Sequence, residues 1–165
     1  MSFGAADDDR TSLNDQLGLP AGVELATIRR RILAQIIDQL VVLVPVVAIA
    51  LAIGVRTVDD LGDKAFAINI AVVAVGFTYE FVMVGRWGRT LGKFAMGTRV
   101  VRIDTGERVL WYSSAIRALV PLAAGVIPGI GQILSLFVYV RAFFDPRRQG
   151  WHDRAAGTVV VAVTR

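Results

Sequence analysis

Two apolar runs constrain this chain more than anything else in it. Residues 32–55 and 65–85 are each long, and each carries a single charged side chain, Asp38 in the first and Glu80 in the second. A helix rises about 1.5 Å per residue, so either run crosses a hydrocarbon layer of about 30 Å with some tilt. Only nine residues, Arg56–Lys64, connect them. The composition agrees: 55% of the 165 residues are hydrophobic and 19% are charged, against about 25% charged in an ordinary soluble domain. The expected fold is therefore mainly α, a multi-pass membrane protein. Pro45 lies mid-span, where a kink is expected.

The charge balance orients the chain. Net charge is +4, and the basic residues flank the apolar runs, which is membrane patterning and not the footprint of a nucleic-acid binder. Residues 86–112 form the most basic connection, with Arg86, Arg89, Lys93, Arg99, Arg102 and Arg108. The positive-inside rule places this connection and Arg29–Arg31 in the cytoplasm, with two spans between them. Residues 1–28 are polar and acidic and read as a disordered cytoplasmic tail, followed by a membrane domain over 29–165. No cysteine is present, which removes disulfides, thiolate metal sites and a cysteine nucleophile.

Residues 113–144 admit two readings. Val120–Val140 is long enough for a third span, but that would carry the Arg-rich tail, residues 145–165, to the outside. Pro128-Gly129-Ile130-Gly131 interrupts the stretch, and Pro with Gly breaks helices. We therefore expect a helical hairpin, Ser113–Ile127 and Gln132–Phe144, that enters and leaves on one side. Arg99–Ile103 and Glu107–Trp111 flank Asp104-Thr105-Gly106 as a β-hairpin. Thr158–Val163 is β-prone and pairs with that hairpin in a small cytoplasmic sheet.

Ionisable groups inside a membrane are costly, and they commonly pair or mark a solute path. Arg31 and Asp38 are seven residues apart on one helix face, Asp38 about 10 Å deeper. Glu80 reaches a similar depth on the second span, and Arg117 begins the first hairpin helix. These four are expected at one level. Asp38 and Glu80 are candidates for binding a cation or proton, with Arg31 and Arg117 as charge partners; a structural ion-pair network is the competing reading. Gly88-Arg89-Thr90-Leu91-Gly92-Lys93 lacks the spacing of a phosphate loop and has Phe94 where Ser or Thr is required, so it reads as a Gly-rich turn feeding an interfacial helix whose cations touch anionic headgroups. His152 is the one histidine; it has no second nitrogen ligand for a metal and no nucleophile for catalysis. Asp153 is expected to pair with Arg154, Arg147 or the basic loop. Trp87, Trp111 and Trp151 flank apolar segments, as interfacial anchors or as packing. No catalytic residue, metal site or cofactor is expected, and no enzyme activity.

Three motifs in order resemble the RDD family of small prokaryotic membrane proteins. Arg31-Ile32-Leu33-Ala34-Gln35-Ile36-Ile37-Asp38 is similar to its first-helix signature; Thr90-Leu91-Gly92-Lys93, with Gly97 and Val100-Val101, resembles its central loop; Gln149–Val160, containing Trp151-His152-Asp153-Arg154, is similar to its closing motif. The resemblance covers about residues 28–163. It implies Arg31, Asp38 and Asp153 as signature residues, a prokaryotic inner-membrane location and a loose association with transport. Two functions are then expected: a transport-related protein, oligomeric because so short a bundle hardly encloses a path alone, or an accessory subunit of a larger membrane complex. The partners expected are membrane lipid and either a second copy or another membrane protein, with no nucleic acid.

Overall fold

The structure, a computed structural model, describes residues 16–20, 23–125 and 137–163. Its frame is two long helices, α1 (Ile28–Ala52) and α3 (Ala65–Trp87), joined by a loop that contains a short helix, α2 (Val58–Asp63). Thr57 and Asp60 close a capping box on α2, each accepting from the other's backbone N–H, which converts the expected plain connection into an ordered turn. Helix α1 begins at Ile28, so Arg29–Arg31 lie in its first turn, and it continues through Pro45. Ile36, Leu40, Leu43, Val44 and Val47 on α1, with Phe66, Ile70 and Val72 on α3, are exposed. A water-soluble protein rarely leaves so large an apolar surface bare, whereas lipid covers it at no cost.

Beyond α3 the chain turns at Gly88, whose φ of 69° gives the left-handed cap that ends the helix. Short helix α4 (Leu91–Ala95) follows, then β1 (Thr98–Arg102), α5 (Trp111–Gly125), a 3-10 turn Arg141–Phe143, α6 (Trp151–Ala155) and β2 (Thr158–Ala162). Strands β1 and β2 pair antiparallel, with Val100 opposite Val160 and Val101 opposite Val159. Side chains alternate across a strand. Val100 and Val160 therefore pack with Val84 and Ala26 on one face, and Val101 and Val159 pack with Leu19 on the other. Burying each such valine is worth about 1.5–3 kcal/mol.

Several expectations are corrected. The second arm of the β-hairpin is not a strand: Arg108 makes a single bridge to Val101, and the sheet is completed by residues from the opposite end of the chain. Leu25 bridges Val161, the Ala26 N–H donates to the Val160 carbonyl, and Glu24 accepts from Ala162. The described end of the acidic tail is thus held on the sheet, because the β2 edge would otherwise carry unpaired backbone groups; residues 1–15 lie outside the described residues. The Pro128–Gly131 bend also lies outside them. The described ends of that segment, however, lie together. Arg117 on α5 reaches Asp153, and the Tyr139 ring lies 4.6 Å from that of neighbouring His152.

Candidate functional site

All the expected charged residues gather at one end of the bundle, but their partners differ from the expected ones. Arg31 does not serve Asp38. Its Nη1 donates to Asp153 Oδ2 at 3.0 Å and its Nη2 to the Val160 carbonyl at 3.4 Å. Arg117 donates from Nε to Glu80 at 3.1 Å, and from Nη1 to Asp153 and, at 3.3 Å, to Thr158. Asp153 is fully buried, and it is the acid clasped by both arginines, in place of the expected Arg154, Arg147 or basic loop. Its backbone position explains why. It is the third residue of α6, where its carboxylate also accepts the Gly150 N–H at 3.1 Å, the acceptor half of a capping box. The short helix aims the acid inward and Arg154 outward.

Asp38 has a separate set of partners. It accepts from the Tyr79 hydroxyl at 2.6 Å, the Thr90 hydroxyl at 2.6 Å and the Gly92 N–H at 2.8 Å. Lys93 Nζ lies 3.6 Å away. A carboxylate buried at this depth is costly unless its lone pairs are met, and here the first turn of α4 meets them. That turn must sit directly on α1. A Cβ on Gly92 would collide with the Ala34 carbonyl oxygen, so glycine is required by close approach.

Lys93, expected at lipid headgroups, is buried instead. Burial pushes its ammonium below the ordinary value; Glu80 opposes this, Arg117 adds to it, and Asp38 and Arg31 contribute less. His152 is buried too, and its imidazole is held well below the ordinary value by burial and then by the charges of Arg117, Lys93 and Arg31. Its Nε2 lies 3.5 Å from Asp153 Oδ1. Among the described residues three basic side chains of the cluster, Arg31, Lys93 and Arg117, face three acidic ones, Asp38, Glu80 and Asp153.

A cavity of about 490 Å³ opens between α1, α3 and α5, lined by Asp38, Glu80, Gln35, Asn69, Thr90, Lys93 and Tyr139 among others. Asp38 and Glu80 thus share one cavity, whose other walls include Val42, Val72, Phe77 and Leu122, without touching each other. The Glu80 side chain keeps 18% of its surface accessible there and holds one ion pair, to Arg117. Among the described residues no group of His, Asp and Glu is arranged to hold a metal ion. All three tryptophans are exposed; Trp111 also packs on α3, against Phe81 and over Gly85, and Trp151 carries the Arg141 guanidinium over its ring. Residue-by-residue reading missed Tyr79 and Thr90 as partners of Asp38. The detectable signal was the Thr90-Leu91-Gly92-Lys93 motif, whose function as an acid cradle depends on α4 folding back to α1.

Comparison with known proteins now carries weight, because all three motifs meet in this cluster. The profile of the RDD family matches residues 25–157. The chain belongs to the RDD family. It is 30% identical over 95 residues to the uncharacterized membrane protein YteJ of Bacillus subtilis (strain 168); the match covers 58% of this chain and 53% of that one, so it spans about half the length of its relative. No solved structure matches. Family membership and the two bare apolar helices identify this as a membrane protein. Within the matched range Arg31 and Asp153 are partners, and Asp38 accepts from the Gly92 N–H.

Proposed function

We propose that this RDD protein is transport-related, taking up a cation or proton at Glu80 in the polar cavity, with Asp38 as a fixed negative pole. The supporting observation is the asymmetry between the two carboxylates. Asp38 is saturated by three donors within 2.8 Å. Among the described residues Glu80 has one ion-pair partner, Arg117, and Arg117 has a second carboxylate, Asp153, to retain if Glu80 lets go. A cation entering the cavity competes with Arg117 for Glu80 without leaving a buried guanidinium unpaired, which is the costly outcome. In this reading the basic connection and the sheet lie on the cytoplasmic side of a prokaryotic inner membrane, in keeping with their Arg content, and copies of the chain assemble to complete the path.

The test is ion flux in proteoliposomes, with imposed gradients of protons, sodium and potassium. Glu80→Gln keeps an oxygen for Arg117 and removes the charge. Loss of flux in a monodisperse Glu80→Gln protein supports the proposal, and wild-type flux in that variant overturns it. A wild-type protein that moves no ion and copurifies with a membrane partner at fixed stoichiometry would instead be an accessory subunit.

A further inference from the structure

A second cavity, about 420 Å³, lies where β1 ends and β2 begins. It shares no lining residue with the cavity beside Glu80. Arg147 and Arg154 line it. Unlike Arg31, Lys93 and Arg117, neither guanidinium has a hydrogen-bond or ion-pair partner among the described residues; Arg147 donates only from its backbone N–H. Arg154 is exposed and Arg147 half-buried, so both have surface to offer a ligand. One acid shares the cavity, Asp145, and both its oxygens are engaged. Its Oδ2 takes Arg141 at 3.1 Å, and its Oδ1 accepts the N–H groups of Arg147 at 2.9 Å and Gln149 at 3.3 Å. The Asp145 carbonyl also accepts the Arg148 N–H at 2.8 Å. The acid thus shapes the turn that carries Arg147 and leaves the charge of the two arginines unbalanced. The tip of Arg147 is placed as well, against the backbone of Gly18, where an added Cβ would stand 3.4 Å from Nη2.

We propose that this cavity binds a small organic phosphate monoester, its dianionic phosphate held between Arg147 and Arg154 and its carbon body lying on Leu17, Ile103 and Pro146. Guanidinium forks match phosphate oxygens two at a time, and such charge-assisted bonds are about twice as strong as neutral ones. A monoester phosphate presents three strong acceptor oxygens and nearly two negative charges, which suits two unpaired guanidinium groups better than a single carboxylate does. The volume selects an organic ligand over the bare ion, because cavities of about 300 Å³ and above are the size that encloses small molecules. The wall of Leu17, Ile103 and Pro146 gives its carbons a place to bury. The proposal does not rest on cation uptake at Glu80, since neither Glu80 nor Asp38 lines this cavity.

The test is isothermal titration calorimetry at pH 7.5 on the full chain in a neutral detergent, with phenyl phosphate, inorganic phosphate and benzenesulfonate as probes. Saturable binding of phenyl phosphate is expected, about tenfold tighter than either of the others. Arg147→Gln and Arg154→Gln should each weaken it by about tenfold or more, with the thermal midpoint unchanged. Arg86→Gln, exposed at the end of α3 and outside the cavity, should keep wild-type affinity. The proposal is overturned if phenyl phosphate shows no saturable binding, or if both cavity variants bind it as the wild type does. An equal loss in Arg86→Gln also overturns it, assigning the binding to general charge attraction. Equal affinity for inorganic phosphate overturns the organic ligand, and equal affinity for benzenesulfonate overturns the dianion.

Discussion

Arg31 and Asp153 stand 122 positions apart in the chain and 3.0 Å apart in the fold. The bond ties the first turn of the first long helix to a five-residue helix near the other end of the described chain. Arg117 reaches the same carboxylate from α5, which makes Asp153 the joint of three elements.

Removing that joint should cost more than removing either arginine. Asp153→Asn leaves Arg31 without a carboxylate and Arg117 with Glu80 alone, and orphaning buried charge costs about 3–5 kcal/mol. Arg31→Leu leaves Asp153 still paired with Arg117 and should cost less. Thermal midpoints in a fixed detergent check the ranking; an Arg31→Leu protein less stable than Asp153→Asn would contradict it.

The seat of α4 on α1 predicts a steric cost at Gly92. Gly92→Ala drives a methyl into the Ala34 carbonyl and lifts the Gly92 N–H from Asp38, so a loss of at least about 1–3 kcal/mol is expected. At Gly62 on α2 an added methyl would meet nothing within 4 Å, and Gly62→Ala should be neutral or stabilising by up to about 1 kcal/mol. Equal unfolding midpoints for the two variants would count against the close seat.

The hydroxyl of Thr90 makes a graded prediction. Thr90→Val keeps the shape but removes a donor from the buried Asp38, costing about 1.5–3 kcal/mol for a bond to a charged group. Tyr79→Phe removes another donor and also strands the Leu91 N–H, which donates to the Tyr79 hydroxyl at 2.9 Å. If the two losses act on one network, the double variant will depart from additivity; strict additivity would separate them.

His152 predicts a pH dependence with a definite sign. Its folded-state pKa is held well below 6.5, first by burial. Below pH 6.5 the unfolded chain takes up a proton that the folded chain refuses, so stability falls as pH falls. The slope approaches about 1.4 kcal/mol per pH unit between the two pKa values. His152 is the only histidine, so His152→Gln should flatten the thermal midpoint between pH 7.5 and 5.5. An unchanged slope would assign the effect to carboxylates.

Sidedness is testable because the chain has no native cysteine. Val58→Cys, in the loop between the long helices, should label from outside intact cells, and Thr105→Cys, in the turn after β1, only after permeabilisation. Labelling of both from outside would refute the cytoplasmic placement.

Much of the frame is legible in the residues themselves. The two long helices and a strand at Thr158 follow from run length and β-propensity. The partners do not. Arg31 and Asp38 share a helix face, yet neither serves the other, because each finds a better-placed group from a distant segment. Likewise the second hairpin arm is only a bridge: on the edge of β1 away from β2 the Val100 N–H donates to the Gly88 carbonyl, and the arm meets β1 only through Arg102–Glu107 and the Val101–Arg108 bridge.

Apolar length and the scarcity of charge are local properties of a chain, and by themselves they dictated a pair of helices long and apolar enough to cross a membrane, with one acid in each apolar run. Which cation meets which acid is a non-local matter. It was decided by two short helices, Leu91–Ala95 and Trp151–Ala155, that fold back to the bundle and deliver backbone N–H groups, hydroxyls and a carboxylate to places no sequence spacing encodes. A buried charge takes whichever partner satisfies it most fully, and only the tertiary structure brings those partners within reach.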